Sequence, residues 1–303
     1  MPCWCGNQAL SPFCDGYRRC DVCQTLVSMS LDAPFDPRVR DDATDYYGRN
    51  YWFGHQTNEL ACPDIVARMR SDLPERCLHW LRSLLQFRLP PAKVLEIGCA
   101  HGGLVAMLRQ CGFDASGLEL SPSIIELARK TFDIPVLAGP IEDQAIAPAS
   151  LDLIVMMDVM EHLPRPVQTM RRCLELLRPD GILLLQLPQY PEQKSLAQLQ
   201  AEGSKFPQML HPDEHLHLFS RTAVSLLFRQ LGAPHIEFIP AIFDFYDMSM
   251  VVSQRAIERT SSQARERALC ATIGGRFMQA MLDLDDRRLN LLQKYRQVAR
   301  RCA

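Results

Sequence analysis

The stretch VLEIGCAHGGL, residues 94–104, sets a carboxylate, Glu96, inside a short apolar run and follows it with Gly98, Gly102 and Gly103. Glycines at such a turn let the backbone approach a ligand closely, and the acid can accept a hydrogen bond from a ligand ammonium. Some way on, Glu119 stands in the stretch GLEL, at the end of an expected strand; an acid about 20 residues after such a loop is suited to ribose hydroxyls. Glu142 and Asp143, in GPIEDQ, stand where an adenine amino group would be met. Three of the eight histidines, His211, His215 and His217, crowd into LHPDEHLHLFS, and imidazole suits proton transfer near neutrality. Cys3-x-Cys5 and Cys20-x-x-Cys23 bracket fourteen residues, with Cys14 as a spare. Four thiolates so spaced can close a tetrahedral zinc site, although the first pair has a gap of only one residue.

These residues need elements to hold them. Periodicity predicts an alternation: a strand at 94–97, a helix over 104–110, a strand at 115–118, and a helix from Ser121-Pro122 to Lys130. Further strands are expected at 134–137, 151–157 and 182–187, with a helix over 166–177 before the last. Strands alternating with helices imply right-handed βαβ units and a parallel sheet. Continuous apolar runs such as LDLIVMM and ILLLQL fit strands covered on both faces. After an irregular stretch at 188–219, a helix is expected over 220–231. Strands at 236–239 and 247–252 then lie too close in sequence for a helical crossover, so they form an antiparallel pair. Ahead of the sheet, a helix is expected from a Ser71 cap to Phe87. The acids and glycines then sit at the carboxyl ends of the strands, where open α/β sheets bind ligands.

Composition narrows the class. The 303 residues are 47% hydrophobic and carry a formal net charge of −2. That is enough apolar material for a large core, without the basic footprint of a nucleic-acid binder. The amino terminus lacks the pattern of a signal peptide, and no apolar run is long enough to span a bilayer, so the cytoplasm is the expected compartment. Five of twelve cysteines fall in the first 23 residues, a density that in a cytosolic chain favours metal over disulfides.

The ordered set E-x-G-x-x-x-G (Glu96, Gly98, Gly102), the acid Glu119, then Asp152 and DVMEHL with Asp158, Glu161 and His162, then LRPDG, resembles class I S-adenosylmethionine-dependent methyltransferases. The resemblance covers residues 93 to about 190. It implies a Rossmann-like, seven-stranded, mostly parallel sheet with its last strand reversed. It further implies that Glu96, Gly98 and Gly102 hold the methionine end of S-adenosyl-L-methionine, with Cys99 and Leu120 among the contacts. Glu119 would hold the ribose hydroxyls, Glu142 or Asp143 the adenine, and Asp158 and His162 would lie beside the sulfonium, His162 among the catalytic residues. The run E-H-x-x-x-F-S resembles methyltransferases of sugar and polyketide-tailoring pathways, and makes His215 the expected general base, with His211 or His217 as substitutes.

The zinc knuckle of Cys3, Cys5, Cys20 and Cys23, followed by the aromatic stretch Tyr46, Tyr47, Tyr51 and Trp52, resembles the amino-terminal module of nucleotide-sugar C-methyltransferases. Tyr51 and His211 are the expected acceptor contacts, and a sugar or glycan precursor the expected small-molecule acceptor. The organisation read from the chain is a Cys-rich module at 1–30, an aromatic-rich linker and helix at 31–90, a methyltransferase domain at 91–253, and a carboxy-terminal helical extension at 254–303, broken at Gly274-Gly275. The apolar stripe of that extension, Met281, Leu282, Leu284, Leu289, Leu291, Leu292 and Tyr295, needs burial against the domain, a second copy or another protein. Two competing readings stay open. Gly98-x-Ala100-x-x-Gly103 approaches the dinucleotide fingerprint of an NAD-dependent oxidoreductase, and the fold can also survive in a non-catalytic binding protein.

Overall fold

A computed structural model describes residues 2–32, 36–59 and 63–302. Three short strands open the chain: β1 (Leu10–Cys14), β2 (Tyr17–Cys20) and β3 (Leu26–Ser28). After the one-turn α1 (Gln56–Asn58), helices α2 (Ile65–Asp72) and α3 (Leu78–Leu84) lead into the alternating region. There follow β4 (Lys93–Ile97), α4 (Gly103–Gln110), β5 (Asp114–Glu119), α5 (Pro122–Phe132), β6 (Val136–Ala138), β7 (Leu151–Met157), α6 (Pro166–Leu176) and β8 (Leu177–Pro188). The chain ends with α7 (Leu196–Ala201), β9 (His217–Leu218), α8 (Arg221–Gln230), β10 (His235–Ile239), β11 (Asp247–Ser253), α9 (Ser262–Leu269) and α10 (Ile273–Cys302).

Seven strands form one sheet in the order β10-β11-β8-β7-β4-β5-β6. β11 runs antiparallel to both neighbours, and β8, β7, β4, β5 and β6 are parallel, so the last strand is the reversed one. Successive side chains in a strand face opposite sides, and here both sides are covered. Val94 and Leu153 join Leu81, Leu84, Leu104 and Leu108 on one face. Leu95 and Ile154 join Met170, Leu174, Val224 and Phe228 on the other. Asp152, an acid in that apolar run, ties the strand starts together: it accepts from the Lys93 N–H at 2.7 Å and from Arg178 at 2.5 Å.

A second, four-stranded sheet has the order β1-β2-β3-β9. It joins the first 28 residues to His217–Leu218, almost two hundred positions away.

Several expectations need correction. The helix before β4 begins at Ile65, not at Ser71, because the Asp64 carboxylate accepts from the Val66 and Ala67 N–H groups at 2.8 and 3.2 Å. It runs on through Pro74, where residues Leu73–Cys77 form a wider π-turn. Proline has no N–H and its ring clashes with the carbonyl a turn earlier, and the wider turn relieves that clash. β8 starts at Leu177, five residues before the apolar run. The glycines Gly274-Gly275 lie inside the first turn of α10 rather than at a break, which falls at residues 270–272. A Cβ at Gly275 would stand 2.0 Å from the Leu269 carbonyl oxygen and one at Gly274 2.6 Å from that of Gln110. These glycines admit close packing of helix ends. Of the expected apolar stripe only Leu282 is buried, together with Met278; Leu284, Leu291 and Tyr295 are exposed. Among the described residues no helix is long and apolar enough to cross a membrane.

Candidate functional site

The carboxyl ends of β4, β5 and β7 open into a cavity of about 870 Å³. Glu96 lines it from inside β4 and is 4% exposed, with Oε2 lacking any hydrogen-bond partner. Burial pushes its carboxyl up to about 8, against the pull of the Val105 N–H in the first turn of α4. Glu119, at the end of β5, is also raised by burial. Three backbone N–H groups oppose that rise: Ala100 at 3.1 Å, Leu120 at 2.8 Å and Ser121 at 3.2 Å. The turn between β4 and α4 therefore spends most of its amides within the protein. Gly98 N donates to the Leu118 carbonyl at 2.8 Å, Ala100 N to a carboxylate, and Gly103 N to His101 Nδ1 at 3.1 Å.

Gly98 has φ +70°, and a Cβ there would lie 2.5 Å from Val159 Cγ2, on the wall that carries Asp158. We expect Gly98→Ala to lose about 1–3 kcal/mol of stability through the left-handed backbone and that clash. Urea titration of both proteins checks this.

The opposite wall comes from the end of β7. Asp158 itself adopts φ +56°, a strained setting for a residue that is not glycine. Its Oδ1 accepts from Gln186 Nε2 at 3.2 Å, and Gln186 Oε1 accepts from Trp80 Nε1 at 3.1 Å. Since the indole can only donate, it fixes which end of the amide meets the acid. Arg76 stands 3.6 Å from the other oxygen. Enclosure in the cavity still raises the Asp158 carboxyl, and burial raises Glu161 and Asp247 beside it, the last to about 8. Glu161 is 1% exposed and its Oε2 has no partner. Trp80, Gln186, Arg76, Glu161 and Asp247 were not singled out as site residues from the sequence. Two signals were visible: Glu161, named only as part of the DVMEHL motif, and Gln186, a lone amide in the buried run ILLLQL.

The remaining wall brings together distant segments. His215 donates from Nδ1 to the Met209 carbonyl at 2.7 Å, a geometry that leaves Nε2 as a lone-pair acceptor. Its ring centroid is 4.9 Å from that of His162. His162 Nδ1 lies 3.3 Å from the Tyr47 hydroxyl. Burial lowers both imidazoles, His162 well below the usual range and His215 to about 4, so both are neutral at pH 7. Glu214 takes His55 Nε2 at 2.7 Å and the Tyr51 hydroxyl at 3.4 Å.

Of the residues expected from the sequence, Glu96, Gly98, Cys99, Glu119, Leu120, Glu142, Asp158, His162, Tyr51 and His215 all line this cavity. Gly102, Asp143 and His211 do not. Gly102 caps α4 in a left-handed turn, where a Cβ would strike Ile134 at 2.2 Å. Asp143 faces outward, held by Arg38 at 2.9 and 3.0 Å. His211 packs on the far side of His215, ring centroids 5.5 Å apart.

The family profile described as a methyltransferase domain matches residues 69–235, more than half of the chain. The chain belongs to that methyltransferase family. The matched span carries every acid named on the cavity's three walls except Asp247. The chain is 30% identical over 145 residues to the ubiquinone biosynthesis O-methyltransferase of Xanthomonas campestris pv. campestris (strain B100), covering 44% of this chain and 61% of that protein. The same enzyme of Xanthomonas axonopodis pv. citri (strain 306) is 31% identical over the same length. The chain thus spans 61% of the length of these curated relatives. A chain in the solved complex of the Haloferax volcanii Trm112 methyltransferase activator shares the fold, with TM-score 0.50 and 18% identity over 64% of this chain and 96% of that one.

A second cluster lies in the amino-terminal sheet. The sulfurs of Cys3 and Cys23 are 3.4 Å apart and those of Cys5 and Cys20 3.6 Å, and all four lie within 4.8 Å of one another. Tetrahedral zinc with bonds of about 2.3 Å holds its sulfurs slightly under 4 Å apart, so this donor set fits the ion. Cys14 stands on β1, outside the cluster.

Proposed function

We propose that the chain transfers a methyl group from S-adenosyl-L-methionine to a small polar acceptor, and that the acceptor is a sugar or glycan precursor. The observation that carries this reading is the pairing of two buried acids, Glu96 and Glu119, with a glycine turn most of whose amides are already used. A pyrophosphate needs free N–H groups at such a turn. Here it would meet a carboxylate on the Ala100 amide and an imidazole on the Gly103 amide. A cationic ligand with an ammonium and ribose hydroxyls suits the same place, with Glu96 for the ammonium and Glu119 for the hydroxyls. That argues against the nicotinamide reading.

When bound, the donor would supply an electrophilic methyl group. The chain's part is to hold the acceptor in line with it and to take the acceptor's proton. His215 suits the second task, since it is neutral, faces the cavity and has its Nδ1 proton committed to Met209. His162 and Tyr47 orient the ring beside it, and Tyr51 and Trp52 give the acceptor an aromatic wall. Cys3, Cys5, Cys20 and Cys23 would hold a structural zinc ion. A second acceptor class, an aromatic hydroxyl, is favoured by the curated relatives being ubiquinone biosynthesis O-methyltransferases.

The test is transfer of labelled methyl from S-adenosylmethionine into a cell extract, the wild type set against Gly98→Arg. Label entering a carbohydrate fraction with the wild type alone supports the proposal. Label in an aromatic product favours the second acceptor class, and equal labelling by both proteins rejects methyl transfer altogether.

A further inference from the structure

The segment that carries His215 has little structure of its own. Between α7 and α8 it contains a single turn of 3-10 helix at Phe206–Met209 and the two-residue strand β9. Three of its carbonyls are instead held by the amino-terminal strands. The Tyr17 hydroxyl donates to the His215 carbonyl at 2.8 Å, the Ser28 N–H to that of Leu216 at 2.9 Å, and the Ser28 hydroxyl to that of Pro212 at 2.6 Å. The Ser30 hydroxyl donates to the Asp213 carboxylate at 2.7 Å. β3 then pairs with β9, Leu26 opposite Leu218 and Val27 opposite His217. The Leu216 side chain is buried among Cys3, Cys20, Cys23, Val27 and Leu31. Tyr17 is 1% exposed, so its hydroxyl makes this bond away from bulk water.

The short strands β1–β3 cannot bury much apolar surface by themselves, and a bound metal commonly supplies folding energy to so small a unit. The loops that bring the four sulfurs together are also the ends of the strands that grip residues 212–218. Gly6 and Gln24 turn the chain back with positive φ, and the Cys20 N–H donates to the Thr25 carbonyl at 2.9 Å just before β3 begins.

We infer that the four-cysteine site is a clamp on the His215 segment: metal in the cluster stiffens β2 and β3, and these hold His215 at the cavity through Tyr17 and Ser28. Tyr17 is the positioning residue. The functional meaning rests on His215 being the base, but the mechanical statement does not, and the two are tested separately.

Hydrogen exchange by mass spectrometry on the full-length protein tests it, with zinc content measured by elemental analysis and affinity for S-adenosylhomocysteine by calorimetry. The expected result of stripping the metal with a chelator is exchange in 212–218 faster by on the order of tenfold or more, together with β1–β3. Exchange in β4, β5 and β7 and affinity for S-adenosylhomocysteine should stay as they were. Tyr17→Phe should keep its zinc and speed exchange around 213–217 alone. Three results would overturn the clamp: a purified chain without zinc, protection of 212–218 that survives metal removal, or global loss of protection and of cofactor binding on chelation. If instead exchange behaves as expected while His215→Ala leaves turnover unchanged, the clamp stands and only the base reading fails.

Discussion

His215→Ala is expected to lower turnover by a factor of roughly 10² or more while affinity for S-adenosylhomocysteine changes little. The imidazole lines the cavity from a different segment than Glu96 and Glu119, so on the proposed reading its loss removes a proton acceptor and spares the groups proposed to hold the cofactor. Its Nδ1 proton is spent on Met209 at 2.7 Å, so Nε2 is the atom free to accept. Burial holds its pKa near 4. The neutral, proton-accepting form therefore persists well below the usual histidine range. Maximal turnover with saturating cofactor should hold from pH 7 to pH 6, and the acid limb should fall near pH 4. A limb near 6.5 would place the base elsewhere. His162→Ala should cost less, through loss of orientation, because its Nδ1 already faces the Tyr47 hydroxyl.

Glu96 carries the second large effect. In the free protein burial raises its carboxyl to about 8, so at neutral pH the protonated form predominates. A ligand ammonium needs the ionised form. Binding must therefore draw off a proton below about pH 8, and affinity should fall about tenfold for each pH unit lost beneath that value. Glu119 nearby opposes ionisation in the same direction, by charge repulsion. Calorimetry with S-adenosylhomocysteine at pH 6, 7 and 8 reads this slope directly. Glu96→Gln should flatten it and weaken binding roughly 10- to 100-fold at pH 8, the usual worth of a hydrogen bond to a charged group. A flat profile in the wild type would show that no cation meets Glu96.

The alternating region was legible because its strands are buried on both faces and read as unbroken apolar runs, while its helices carry plain signals such as Ser121-Pro122. The antiparallel pairing of β10 and β11 followed from chain length, since residues 240–246 leave no room for a crossover helix; that β11 is the reversed strand followed from the resemblance. The helix before β4 was misjudged because Pro74 reads as a first-turn proline, when a π-turn accommodates it inside. The acids Glu96 and Glu119 were visible as polar residues at strand ends. The Trp80–Gln186–Asp158 relay was hidden because its members come from α3, β8 and the end of β7, and only the tertiary fold joins them. The pairing of β3 with β9 was hidden for the same reason: a two-residue strand has no pattern of its own, and its partner lies at the other end of the sequence.

Calorimetric titration of the full-length protein with S-adenosylhomocysteine, and separately with NAD, bears most directly on the cavity at the carboxyl ends of β4, β5 and β7. The expected result is one S-adenosylhomocysteine per chain, lost in Gly98→Arg, and no heat from NAD. Binding of NAD with none of S-adenosylhomocysteine would contradict it.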